Sequence, residues 1–157
     1  MLRTTTFAAC ALLAALLGCG GAKEKAPEAK GEHVAVHGGC LNALGTCENG
    51  HVEAKVEGET LTLWFVGGGG DTAKAVRVPD AEIALAVTLD GEKDARTLAL
   101  KAKPNALADE KAGDGSRFEG SAPWLKGAAK FVATGRVTFK GKPQDVRIEY
   151  PAGYDPD

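Results

Sequence analysis

The sequence predicts an all-β protein, an antiparallel β-sandwich of the immunoglobulin-like kind with one or two short helical turns. Three observations lead there. Apolar residues recur with period two in several short segments. Gly, Pro, Asn and Asp punctuate those segments at the spacing of a sandwich. No segment is followed by a long amphipathic helix, which a parallel α/β sheet would need. Charged residues on the outer positions argue for antiparallel sheets wet on one side.

The elements follow in chain order from His51. Val52, Ala54 and Val56 face one way, and Glu53, Lys55 and Glu57 face the solvated side. Thr60 to Val66 is a mostly apolar strand, so the two make a hairpin turning near Glu57-Gly58-Glu59. The run Gly67 to Gly70 cannot stay in a regular strand and reads as a turn. Val76 to Pro79 is a short strand that its proline ends. Ile83, Leu85, Val87 and Leu89 alternate with small residues, Asp90-Gly91 turns the chain, and Thr97 to Ala102 returns.

Asn105 to Gly113 suits one or two helical turns, with Asn105 as N-cap and Gly113 past the C-terminus. Arg117 to Glu119 is a short strand, and Ala122 to Ala128 a helical turn or packed loop. Phe131, Ala133, Val137 and Phe139 alternate along a long strand in which Gly135 marks a bulge. Lys140-Gly141-Lys142 turns into a last strand that points Val146, Ile148 and Tyr150 inward. Trp64, Phe65, Phe118, Phe131 and Phe139 read as core.

Composition excludes some functions. The formal net charge is −2 over 157 residues, with no basic field for nucleic acid and no polybasic patch for anionic lipid.

The N-terminus carries an address. Arg3 is a one-charge n-region and Phe7 to Leu17 a short apolar h-region, too short to span a bilayer. They end in Leu16-Leu17-Gly18-Cys19, which resembles the lipobox of bacterial lipoproteins. The resemblance implies cleavage before Cys19, lipidation of its thiol and acylation of the new amino group. The expected organisation is a signal peptide at 1–18 and a lipidated Cys19 with a flexible tether at 19–32. A Cys/His-containing loop follows at 33–50, then the sandwich at 51–154 and an acidic tail at 155–157. The tether, rich in Gly, Ala, Glu and Lys, has too little apolar surface to fold. Export across the cytoplasmic membrane and anchoring in the envelope, facing the periplasm, are the expected localisation. The membrane is then a partner through acyl chains alone.

One cluster carries candidate chemistry. His33, His37, Cys40, Cys47 and His51 all fall between positions 33 and 51, and the inner four read His-x2-Cys-x6-Cys-x3-His. Thiolate and imidazole suit Zn²⁺ or copper, although the spacing is not that of a zinc finger. Cys40 and Cys47 are thus metal ligands or a disulfide, with His37, His51 and His33 as candidate imidazole donors. A disulfide closing so small a loop stabilises by roughly 2–3 kcal/mol and suits an oxidising compartment. Catalysis lacks support. Ser116 and Ser121 are not in a Gly-x-Ser-x-Gly elbow, the cysteines are not Cys-x-x-Cys, and no Lys-Ser/Thr follows the glycine run. The chain therefore reads as not an enzyme. Asp155 and Asp157 add acidic oxygens without calcium-loop spacing.

His37-Gly38-Gly39, followed by Gly50-His51-Val52-Glu53, resembles a family of small bacterial envelope domains in which His-Gly-Gly precedes a His-x-Glu strand. Ser116-Arg117-Phe118 and the Val137 to Lys142 hairpin fit the same family. Related domains stand alone as lipoproteins or lie near the N-termini of periplasmic efflux adaptors. The resemblance implies a β-sandwich, an export-side non-catalytic role and metal association at His37 and His51. The chain departs from the pattern by inserting residues 40–47.

Together these readings predict a lipid-anchored envelope lipoprotein acting as a non-catalytic binding module, with Zn²⁺ or copper, or an envelope protein, as partner. The alternative is a structural or protein-interaction lipoprotein with a Cys40–Cys47 disulfide and no metal.

Overall fold

The computed structural model describes residues 33–156. The expected signal peptide at 1–18, the Cys19 lipidation site and the tether at 19–32 lie outside the described residues, as does Asp157. The described chain is nearly all antiparallel β, as the period-two pattern predicts.

Strands β2 (His51–Glu57) and β3 (Thr60–Val66) form the expected hairpin, with Glu57 opposite Thr60. Gly58, at φ +62°, takes the first position of its two-residue turn, where a side chain would be strained. Strand β4 (Glu82–Leu89) alternates exposed and buried residues from Glu82 to Val87 and pairs with β5 (Arg96–Ala102). After β6 (Arg117–Ser121), β7 (Phe131–Phe139) and β8 (Lys142–Tyr150) make a second hairpin. Lys140 (φ 49°) and Gly141 (φ 76°) form its turn, the mirror-image type that matches strand twist.

A strand not expected from the sequence precedes these. Cys40–Ala43 forms β1, antiparallel to β2, inside the segment read as a loop. Four residues without alternation give no period to read.

All eight strands belong to one sheet, in the order β1-β2-β3-β6-β5-β4-β7-β8. Its edges approach one another. Asn42 Oδ1 on β1 accepts from the Glu149 backbone N–H on β8 at 2.9 Å, and the Ala43 N–H donates to the Tyr154 carbonyl at 2.7 Å. The concave side carries the core, in which Phe65, Phe118 and Phe139 are the largest buried side chains. Phe65 meets Phe118 edge to face at 5.6 Å between ring centroids.

Several expectations need correction. Val76 to Pro79 is not a strand but makes one isolated bridge, Val78 to Gly115. The 105–113 segment holds a single 3₁₀ turn at Ala106–Ala108, capped by Asn105 as expected, with Asp109 rather than Gly113 in the left-handed position closing it. Gly135 is not a bulge, because β7 stays in register with both neighbours. A side chain there would lie 2.8 Å from the Ala84 carbonyl oxygen, so the glycine permits close approach of strands. Among the described residues no helix is long and apolar enough to cross a membrane.

Candidate metal centre

The segment before β1 lies over the outward side of β2 and is held there by one carboxylate. Glu53 is fully buried, although alternation places it on the solvated face. It accepts from the backbone N–H groups of His37 and Gly39, each at 2.8 Å, and lies 2.8 Å from His37 Nδ1. Gly38 (φ 74°) makes the bend between those donors, and Gly39 lets the arm close, since a Cβ there would be 2.4 Å from the Ala54 carbonyl oxygen. The His37 ring stacks on Trp64 at 4.4 Å. Trp64, expected in the core, is thus a half-buried residue of the outward face, with Arg117 also over its ring.

This latch brings His33 to the start of β2. The His33 and His51 rings meet edge-on with centroids 4.7 Å apart. Cys47, in the turn between β1 and β2, completes a group of three. The candidate donor atoms of His33, Cys47 and His51 all lie within 4.8 Å of one another. Cys47 and His51 are buried and His33 is half-buried.

The glycine run builds one wall. The Gly69 N–H donates to the Cys47 carbonyl at 2.9 Å, and a Cβ on Gly68 would be 2.2 Å from the Glu48 carbonyl oxygen. Gly67 offers its carbonyl to His51 Nδ1 at 3.2 Å. A carbonyl only accepts, so Nδ1 carries the hydrogen and Nε2 keeps its lone pair for a ligand. Burial, more than any neighbouring charge, holds the His51 pKa below its ordinary value of 6.5. The imidazole is therefore neutral, the ligating form, at neutral pH.

The donor chemistry fits a metal ion. Two imidazoles and a thiol are borderline-to-soft ligands. A tetrahedral ion with bonds near 2.0–2.3 Å holds its donors roughly 3.3–3.8 Å apart, so no pair of the three needs to close by more than about 1.5 Å. These residues can hold a metal ion.

The centre differs in membership from the expected set. His33 is inside it, and His37 is outside, held by Glu53. Cys40 is also outside. It lies at the far end of β1, opposite Ala54, whereas His51 pairs with Ala43. Three residues of strand separate the two ends by about 10 Å. The Cys40–Cys47 disulfide, the alternative to a thiolate metal site, is accordingly not formed. Cys40 instead has its sulfur beside the Asn42 side chain at 3.6 Å, and burial pushes its pKa up.

Two contributors were not apparent from the sequence. Asp155 lies with its Oδ1 3.1 Å from the Cys47 sulfur, a long-range contact with no sequence signal. The glycine run was visible as a turn, but not the turn it packs against. Elsewhere on the outward face a groove of about 640 Å³ includes His37, Trp64, Lys103 and Arg117, and none of the three donors.

No protein-family model, no curated protein and no solved structure matches this chain.

Proposed function

We propose that this chain is a non-catalytic, metal-binding lipoprotein of the bacterial cell envelope, and that its ion is Zn²⁺ or copper, held by His33, Cys47 and His51. The observation that carries the metal reading is the convergence of three donors within 4.8 Å from an arm, a turn and a strand. Ligand type supports these ions over Mg²⁺ or Ca²⁺, which prefer oxygen. The lipobox-like Leu16-Leu17-Gly18-Cys19 supports the envelope address. Acyl chains would hold the domain at a membrane surface, where it binds metal without turning over a substrate.

The test is a titration of purified, reduced full-length protein with Zn²⁺ and with Cu⁺, read by native mass spectrometry. One tightly held ion per chain is expected, lost in Cys47→Ser and retained in Cys40→Ser. Absence of a stoichiometric ion, or loss in Cys40→Ser with retention in Cys47→Ser, would overturn the reading.

A further inference from the structure

We infer that Asp155 is the fourth protein donor of this centre, so that a bound ion is enclosed by the chain and ties its C-terminal tail to the arm before β1. The inference rests on the metal reading above and adds a ligand that the sequence pattern does not contain.

Geometry is the first argument. Asp155 Oδ1 lies 3.1 Å from the Cys47 sulfur, and the thiol is the only one of the two that can donate to a carboxylate there. Metal displaces that proton, and the two atoms it joined are then neighbouring donors, already near the spacing a tetrahedral ion requires. The tail is held in place by backbone bonds. The Tyr154 N–H donates to the Leu41 carbonyl at 3.2 Å, and the Tyr154 carbonyl accepts from Ala43 at 2.7 Å. A side chain on Gly153 would strike the Leu41 carbonyl oxygen at 2.5 Å, so that glycine lets the tail lie against β1. Asp155 is thereby delivered to the same end of β1 as Cys47 and His51.

Charge is the second argument. Two neutral imidazoles and one thiolate leave a divalent ion with one uncompensated positive charge. Cys47 and His51 are 7% and 2% exposed, and uncompensated charge is costly in such surroundings. The Asp155 carboxylate brings the centre to neutrality.

Four protein donors make a closed site, the arrangement of structural and storage centres, whereas three with an open position suit catalysis. The chain segments joined are far apart in sequence. His33 comes from the arm before β1, Cys47 and His51 from the first turn and β2, and Asp155 from the tail. Metal occupancy would thus fasten both ends of the domain.

Cobalt substitution tests this in the full-length protein. Co²⁺ reports thiolate ligation through a charge-transfer band and four-coordination through intense visible bands. Wild type is expected to show both. Asp155→Asn is expected to keep the thiolate band, lose visible intensity as water enters, and bind Zn²⁺ on the order of 100-fold more weakly. Asp155→Glu should restore part of the affinity. Glu57→Gln, altering an exposed carboxylate at the far end of β2, should bind as wild type. If wild type takes up no Co²⁺ or Zn²⁺, the metal reading itself fails. If wild type binds and Asp155→Asn matches it in affinity and spectrum, the metal reading stands and the fourth-donor inference is overturned.

Discussion

Glu53 and His37 form the contact on which the arm depends. A fully buried carboxylate on β2 accepts the backbone N–H and lies 2.8 Å from the ring Nδ1 of a histidine sixteen positions earlier. Its third partner is the Gly39 N–H. The carboxylate therefore satisfies three groups at once, and it does so on the strand whose first residue is His51. Through that strand the latch and the metal centre share one scaffold.

Truncating the latch should be costly. Glu53→Ala leaves the part-buried His37 and Gly39 amides without their acceptor, and each such group costs about 1–3 kcal/mol. A total loss of about 3–5 kcal/mol is expected, read as a lower urea midpoint at unchanged slope. Glu53→Gln retains one acceptor oxygen and should lose about 1–2 kcal/mol. If Glu53→Ala unfolds at the wild-type midpoint, the arm is not held by this residue.

Asn42 should govern how the sheet edges meet. Its side chain is fully buried, donates to the Cys40 carbonyl at 3.1 Å and accepts from the Glu149 N–H at 2.9 Å. Asn42→Ala removes this side-chain bond from β1 to the β8 backbone and takes the acceptor from the Glu149 N–H. A loss of about 2–4 kcal/mol is expected. Hydrogen exchange gives a local readout, because the Glu149 amide should exchange much faster in the variant while amides of β4 change only with global stability. Equal protection of Glu149 in both proteins would contradict this role.

What the sequence disclosed follows from range. Ile83, Leu85 and Val87 show their strand through their own alternation, and all three are buried as that alternation predicts. Gly58 and Gly141 announce turns because local sterics demand glycine there. Glu53 was misplaced because a period of two says which side of a sheet a residue faces, not what later covers that side. The donor set was legible as candidates but not as a selection. His33, Cys47 and His51 are all in the sequence cluster, but the exclusion of Cys40 depends on β1 pairing with β2 and that of His37 on its contact with Glu53. Asp155 depends on the tail returning to β1, a contact more than a hundred residues away in sequence.

The glycine run should matter at one position and not at another. A Cβ on Gly68 would fall 2.2 Å from the Glu48 carbonyl oxygen, whereas one on Gly70 meets nothing within 4 Å. Gly68→Ala must push the run away from the turn that carries Cys47. An overpacking cost of about 1–3 kcal/mol and weaker Zn²⁺ binding are expected. Gly70→Ala should leave both unchanged, or gain a few tenths of a kcal/mol through the unfolded chain. Denaturation and competition with a chromophoric chelator measure the two quantities, and equal behaviour of the variants would count against the proposed wall.

His51 should make the metal-free protein sensitive to acid. Burial depresses its folded pKa below 6.5, the value the unfolded chain regains. Above pH 6.5 neither state binds this proton and the residue imposes no slope. Below it the unfolded state takes up a proton that the folded state resists, so stability falls as pH falls toward the folded value. His51→Gln keeps a polar side chain but removes that titration, and its stability should decline less over the same window. Metal sharpens the contrast, since protons compete with the ion for the same imidazole and the Zn²⁺-loaded protein should lose its ion over this window. Urea midpoints measured from pH 8 down to pH 5, with chelator and with Zn²⁺, check both statements. Parallel profiles for wild type and His51→Gln would show that the buried imidazole carries no part of the acid response.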